Sequence, residues 1–142
     1  MARFGGILID FDSVIQTTVD LEGRLLVPGI SESQREFRNL LDELAAAGFP
    51  IAYESGLDSR ALGSYIFREN LSCDAYIGES PANDEIDMRL ETFQDRVKTS
   101  NQFIYVCNSS NRILVALGLG YKCVTSRTLL NMRHELQSQA PE

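Results

Sequence analysis

The stretch Phe4-Gly5-Gly6-Ile7-Leu8-Ile9-Asp10-Phe11-Asp12-Ser13-Val14 decides the fold of this chain. Its apolar run is too short for a helix and follows two glycines, which is typical of a strand buried inside a sheet. The run ends on two aspartates, Asp10 and Asp12, which are separated by one residue. Because parallel α/β sheets form their ligand crevices at the carboxyl ends of the strands, we expect both carboxylates to face such a crevice.

Predicted strands and helices alternate along the rest of the chain. The pattern predicts further strands at 49–54, 74–77, 102–107 and 121–125, and helices at 31–48, 58–70, 86–97, 113–119 and 128–137. This alternation predicts one domain over residues 1–142, with a three-layer α/β/α, Rossmann-like architecture and a five-stranded, mostly parallel sheet. A turn-rich tetrapeptide at 20–23 predicts a short β-hairpin flap over about 15–27, and a polar tail covers about 137–142.

The composition excludes several classes of function. The 142 residues carry a formal net charge of −7 without a basic patch, so we do not expect the chain to bind nucleic acid. The three cysteines lack metal-ligand spacing and are interpreted as reduced thiols. No apolar stretch is long enough to cross a bilayer, and Asp10 lies where a signal peptide needs its apolar centre. We therefore expect a soluble, cytoplasmic protein that does not bind a membrane.

The segment containing Asp10, Asp12 and Val14 resembles the first motif of the haloacid dehalogenase-like (HAD-like) phosphohydrolases, an apolar strand that runs into Asp-x-Asp-x-Thr/Val. The resemblance implies that Asp10 attacks phosphorus and forms an aspartyl-phosphate, while Asp12 acts as the acid and base. It also implies a Mg²⁺ ion held by the Asp10 carboxylate and the backbone carbonyl of Asp12. Finally, it implies that the strand after Gln102 lies beside the first strand.

Two more features of the family can be followed in this sequence. Ser55 ends the second predicted strand, where the second family motif has a Ser or Thr that holds the phosphate. A turn serine before Gly56 is the alternative interpretation of the same residue. No stretch is long enough for a separate cap domain, so the resemblance implies a crevice that is open or is covered by another subunit of a homo-oligomer.

The third and fourth family motifs are degenerate here. The third has a lysine near the start of the helix after the third strand, usually just before a proline, but Ser80 precedes Pro81 and Lys98 lies at the far end of that helix. The fourth supplies acids for Mg²⁺ after the fourth strand, but Asn108 and Arg112 stand at those positions. An asparagine oxygen is a weak ligand for a hard cation, whereas an arginine cannot bind a metal and repels it.

Two hypotheses follow from the retained and the lost motifs. In the first, Arg112 fills the metal position and pairs with Asp10, Asp12 or both, and the protein is a weakly active or non-catalytic binding or assembly module for a small phosphorylated molecule or a protein partner. In the second, it is a Mg²⁺-dependent phosphatase with Asp10 as nucleophile, Ser55 and Arg112 on the phosphate, and Asn108 as a weak metal ligand.

Other active-site classes fit less well. A phosphoreceiver domain needs an aspartate after the third strand and a lysine after the fifth, but the chain has Ile77-Gly78 and Val124-Thr125 there. A catalytic triad is not expected, because the only histidine, His134, lies among polar residues of the last helix. Cys107 lies before a helix N-terminus, where a thiol is more reactive, but burial as a small apolar residue is the preferred interpretation.

Overall fold

The computed structural model describes residues 4–15, 32–81, 84–97 and 102–138. Strands and helices alternate within these ranges, as predicted. The strands are β1 (Phe4–Asp10), β2 (Ile51–Asp58), β3 (Ala75–Glu79), β4 (Gln102–Val106) and β5 (Lys122–Val124). The helices are α1 (Phe11–Val14), α2 (Glu32–Ala46), α3 (Ser59–Arg68), α4 (Ile86–Val97), α5 (Ser110–Gly118), α6 (Ser126–Asn131) and α7 (Arg133–Ser138).

The sheet has the strand order β3-β2-β1-β4-β5, and every pair of neighbouring strands is parallel. The expected neighbourhood of the first and fourth strands is confirmed, since β4 pairs with β1. β1 lies at the centre, and the chain adds strands first on one side of it and then on the other. This order makes the carboxyl end of β1 a topological switch point, where doubly wound sheets bind their ligands.

Apolar side chains cover both faces of the sheet and define the three layers. One core joins β1 and β2 to α2 and α3 and includes Ile9, Leu40, Tyr53 and Tyr65. The other core joins β4 to α4 and α5 and includes Phe93 and Tyr105. α3 buries one side against the sheet, with Leu62, Tyr65 and Ile66 all buried. Because successive side chains of a strand point to opposite faces, β1 contributes Ile7 and Ile9 to the first core and Leu8 to the second.

Several predicted boundaries were wrong, and three of these errors affect the crevice. After Asp10 the chain forms the one-turn helix α1, so Asp12 is helical. β2 continues past Ser55 to Asp58 through an irregular register. The helix predicted at 113–119 begins three residues earlier, at Ser110, because Ser109 adopts the extended conformation of an N-cap residue. Arg112 therefore lies in the first turn of α5.

Some predictions fall partly or wholly outside the described residues. Most of the predicted flap at 15–27 does so, and so do Lys98 and the end of the polar tail at 139–142. The described residues 32–81, 84–97 and 102–138 contain no cap domain between the strands. In the described part of the chain, no helix is long and apolar enough to cross a membrane. All three cysteines are free thiols.

Candidate active site

Asp10 ends β1 and is completely buried. One carboxylate oxygen, Oδ1, accepts a hydrogen bond from Arg112 Nη1 at 2.8 Å. The other, Oδ2, accepts from Ser13 Oγ at 2.6 Å and from Cys107 Sγ at 3.2 Å. Burial raises the pKa of Asp10 above its ordinary range, while the Ser13 hydroxyl and the Arg112 charge counteract part of that rise. Both oxygens of the predicted nucleophile therefore have protein partners.

Asp12 lies on α1, and its side chain is 31% exposed. Its Oδ1 accepts a hydrogen bond from Ser55 Oγ at 2.6 Å, and its Oδ2 accepts from the Gly56 N–H at 2.8 Å and from Arg112 Nη2 at 3.0 Å. The backbone can approach closely because residue 56 is a glycine, at which a Cβ atom would lie 3.3 Å from Asp12 Oδ2. Asp12 thus receives three donors, two of them from the end of β2.

Ser55 is fully buried and stands where the second family motif was predicted. Its hydroxyl donates to Asp12 and accepts the Leu57 N–H at 2.9 Å. Ser55 lies within β2, and its bond to the Leu57 N–H is also the local contact of a turn serine, so both interpretations of this residue stay predictions. Its predicted role in holding phosphate stays a prediction, since the hydroxyl contacts a carboxylate in this structure.

Arg112 contacts three carboxylates. Nη1 forms salt bridges with Asp10 Oδ1 and with Glu54 Oε2, the latter at 3.2 Å, and Nη2 forms one with Asp12 Oδ2. The predicted pairing of Arg112 with Asp10 and Asp12 is confirmed. Burial lowers the pKa of Arg112, but the charges of Asp10, Glu54 and Asp12 together outweigh this effect and raise it, so the side chain is a permanent cation.

The sequence analysis missed a second, deeper network around Glu54. Glu54 is fully buried; its Oε1 accepts from Arg89 Nε at 2.6 Å and its Oε2 accepts from the Tyr105 hydroxyl at 3.1 Å. Burial raises the pKa of Glu54 to about 7, although the charges of Arg89 and Arg112 lower it. A usable signal was present, because Glu54 follows an apolar run in a predicted strand, where a carboxylate needs a partner.

The third family motif has a lysine near the start of the helix after the third strand, and in this chain Arg89 lies there. It lies in the first turn of α4, the helix after the third strand, and its side chain is nearly fully buried. Its Nη2 lies 3.9 Å from the point where a Cβ of Gly56 would be, and Arg112 Nη2 lies 3.8 Å from the same point. A positive charge from the start of α4 is therefore present at the crevice, but an arginine carries it.

Asn108 lies at the mouth of the crevice and connects three segments. Its Nδ2 donates to the Ser13 carbonyl at 3.3 Å and to Ser126 Oγ at 3.1 Å, while its Oδ1 accepts the Ser126 N–H at 3.0 Å. Its own N–H donates to Ser13 Oγ at 2.9 Å. The oxygen predicted to bind a metal is thus bonded to the start of α6, and the ligand role of Asn108 stays a prediction.

The donor set does not fit a Mg²⁺ ion. Magnesium takes six oxygen ligands in an octahedron at about 2.0–2.1 Å. Here the Arg112 guanidinium lies between Asp10 and Asp12, and the Asn108 oxygen bonds to Ser126. Among the residues that the structure describes, no group of three or more His, Cys, Asp or Glu side chains is arranged to hold a metal ion.

The other candidate nucleophile and base lie in unsuitable environments. Cys107 is buried beside Asp10, and burial raises the pKa of its thiol to about 11, so it is protonated at neutral pH. His134 lies exposed on α7, as predicted.

The strand order and the position of Asp10 at the switch point agree with the HAD-like fold that the first motif predicted. In particular, the chain is similar to the cobalt-bound deoxy-D-mannose-octulosonate 8-phosphate phosphatase from Haemophilus influenzae, with a TM-score of 0.69 and 14% sequence identity. The alignment covers 97% of this chain and 91% of that chain. No protein-family model and no curated protein sequence matches. The resemblance predicted from the first motif is thus confirmed at the level of the fold.

Proposed function

We propose that this chain is a HAD-like domain of phosphatase lineage that acts as a non-catalytic binding or assembly module. The observation that carries the proposal is the Arg112 guanidinium, which forms salt bridges with both Asp10 and Asp12. In the family that the chain resembles, a metal ion held by the first carboxylate and by the backbone carbonyl of the second aspartate supplies positive charge beside the phosphate. Here a side chain of the protein supplies the positive charge at that position.

The hydrogen bonds of Asp10 also oppose catalysis. A carboxylate nucleophile must present an oxygen lone pair to phosphorus, but Oδ2 accepts two bonds, from Ser13 and Cys107, and the lone pair that Oδ1 retains lies beside the Arg112 guanidinium to which this oxygen is bonded. Removal of a single preorganised electrostatic contact typically costs about 10²–10³ in rate. The loss of the fourth-motif acids therefore predicts a rate far below that of an intact site, even though Arg89 keeps a positive charge at the start of α4.

The binding role is inferred from the donors that converge on Asp12. Ser55 Oγ, the Gly56 N–H and Arg112 Nη2 all donate to this partly exposed carboxylate. These donor types also bind phosphate, and arginine recognises it with high geometric specificity. A small phosphorylated molecule is therefore the proposed ligand class, and its phosphate group would take these donors when the Asp12 side chain rotates toward solvent.

Hydrolysis of para-nitrophenyl phosphate with excess Mg²⁺ tests the non-catalytic assignment. We expect the wild type and Asp10→Asn to show the same residual rate, because no step depends on Asp10. Calorimetric titration of the wild type with Mg²⁺ should show no binding in the millimolar range. A wild-type rate that the Asp10→Asn change abolishes, together with Mg²⁺ binding, would favour the phosphatase hypothesis.

Binding of inorganic phosphate in the presence of a metal chelator tests the ligand class. The measurement is the change in the NMR chemical shifts of the Ser55 and Gly56 backbone amides as phosphate is added. We expect Asp12→Asn to bind phosphate more tightly than the wild type, since the neutral amide competes less well for the donors. The exposed Asp95→Asn on α4 is the matched control. Weaker binding by Asp12→Asn would contradict the proposed ligand site.

A further inference from the structure

We infer that Glu54 is the positioning residue that holds Arg112 between Asp10 and Asp12; the inference rests on the proposed function and explains how the crevice keeps its own cation in place. Glu54 belongs to none of the motifs that relate the chain to the family. It is a register partner of Asp10 on the neighbouring strand, so its carboxylate enters the crevice from beside the predicted nucleophile.

The contacts of Arg112 show why a third carboxylate is needed. The guanidinium reaches the crevice from the first turn of α5, and 24% of the side chain remains exposed. Of its three partners, Asp12 is the most exposed, whereas Asp10 and Glu54 are completely buried. Nη1 is shared between these two buried carboxylates, at 2.8 Å and 3.2 Å. Glu54 therefore draws the guanidinium toward the sheet and away from solvent.

Glu54 can do this because its own position is restrained from two other elements. Arg89 on α4 donates to Oε1, and Tyr105 on β4 donates to Oε2, the same oxygen that receives Arg112. All three neighbours are donors, so the arrangement suits an ionised carboxylate, which only accepts. A charge-assisted bond to a restrained acceptor limits the motion of the arginine more than a bond to a mobile surface carboxylate does.

The local charge balance supports the same conclusion. Asp10, Asp12 and Glu54 contribute three negative charges, and Arg89 and Arg112 contribute two positive charges, which leaves a formal sum of −1. Arg89 is buried against Glu54, whose Oε1 accepts a hydrogen bond from Arg89 Nε at 2.6 Å. Arg112 forms salt bridges with both aspartates and so neutralises this pair, and Glu54 connects the two guanidinium groups.

The test follows the Arg112 side chain directly by NMR at pH 8, where Glu54 is ionised. The Nη–Hη signals of Arg112 are assigned by their loss in Arg112→Lys, and their exchange with water is measured, because Nη1 is the atom that donates to Glu54. We expect Glu54→Gln to accelerate this exchange by about tenfold or more, the factor that corresponds to one lost charge-assisted hydrogen bond. Glu69→Gln is the matched control, because it breaks the Arg38–Glu69 pair on another face.

A second variant keeps the inference falsifiable if Glu54→Gln does not fold. Glu54→Asp retains the charge but withdraws the carboxylate by one methylene, and we expect faster Arg112 exchange here as well. Unchanged exchange in the folded variants would overturn the inference. Titration of the wild type with Mg²⁺ in the same samples separates the proposed function from the role of Glu54. Tight metal binding would contradict the proposed function. Slow exchange of Arg112 in every variant would contradict only the role of Glu54.

Discussion

Arg112 is the residue that most changes the chemistry of the crevice. A guanidinium is planar, permanently charged and unable to act as a Lewis acid, so it neutralises the carboxylates without activating a phosphate as a metal ion would. Its distances to the three carboxylates, 2.8 to 3.2 Å, are those of hydrogen-bonded ion pairs. Arg112 therefore provides a cation that contacts both aspartates and Glu54.

Replacement of Arg112 by Gln should destabilise the fold, because Asp10 would keep its burial and lose its cation. Breaking a buried ion pair costs about 3–5 kcal/mol, and the partial exposure of Arg112 lowers our expectation to about 2–3 kcal/mol. Urea unfolding monitored by circular dichroism provides the measurement. Arg127→Gln on the exposed side of α6 is the control and should change stability by less than about 0.5 kcal/mol. Equal effects of the two changes would contradict a central role for Arg112.

Glu54 predicts a pH dependence of stability. Burial raises its pKa from 4.5 in a model compound to about 7 in the fold, so the folded state holds the proton more tightly than the unfolded chain does. The resulting stabilisation is complete below about pH 4.5 and is lost as the pH rises toward 7. We expect the thermal midpoint of the wild type to fall across this range and that of Glu54→Gln to fall less. Parallel curves for the two proteins would show that another group titrates.

The bounds of α5, β2 and α1 decide which of their side chains enter the crevice. α5 begins at Ser110 and so places Arg112 in its first turn, where the helix dipole disfavours a cation by about 0.3–1 kcal/mol. The three carboxylates outweigh this cost. β2 extends beyond Glu54 and presents Ser55 and Gly56 to Asp12 on the one-turn helix α1. The crevice is thus built from the carboxyl ends of the central strands and the helices that follow them.

The N-cap of α3, the helix that follows β2, allows a test of how much one capping hydrogen bond stabilises the fold. Asp58 is the N-cap residue, and its Oδ1 accepts the Ala61 N–H at 2.9 Å. We expect Asp58→Ala to lower the free energy of unfolding by about 1 kcal/mol through loss of the cap, as measured by urea unfolding. Asp58→Asn, which retains a capping oxygen, is the control and should be close to the wild type. A loss of the same size in both variants would point to charge as the cause.

The cation that contacts the crevice aspartates is a side chain of the protein itself, Arg112. The cores on both faces of the sheet are apolar and close-packed, and the charged cluster lies at one end of the central strand. If the proposed function holds, Arg112 balances the charge of Asp10 and Asp12 without a bound ion. The stability of the fold should therefore be independent of divalent metals.

Thermal unfolding with a chelator and with excess Mg²⁺ tests this independence. We expect the same midpoint in both conditions for the wild type. The double variant Asn108→Asp with Arg112→Asp should instead be stabilised by Mg²⁺, by about 2.7 kcal/mol at a concentration one hundred times the dissociation constant. The neighbouring, exposed Asn111→Asp is the matched control and should show no response. Stabilisation of the wild type by Mg²⁺ would contradict the proposed function.

Sequence reasoning recovered the parts of the site that follow from local patterns. The apolar strand, the two aspartates and the absence of the family acids at positions 108 and 112 all predicted a crevice with a substituted cation. Arg89 and Tyr105 were missed because each is ordinary in its own segment, and Glu54 was missed although its place after an apolar run indicated a buried carboxylate. Glu54 lies 35 positions from Arg89 and 51 positions from Tyr105 in the sequence. Hydrophobic periodicity is a local pattern and does not predict contacts over such separations.

The sequence by itself determined the class of fold, because the alternation of apolar strands and amphipathic helices is a local property that burial enforces within each segment. It also determined that two carboxylates end the first strand. Only the tertiary structure decided which cation neutralises them. Asp10 and Arg112 are 102 residues apart in the sequence. Their contact depends on the strand order, on where α5 begins and on the buried Glu54, and all three are determined by long-range packing.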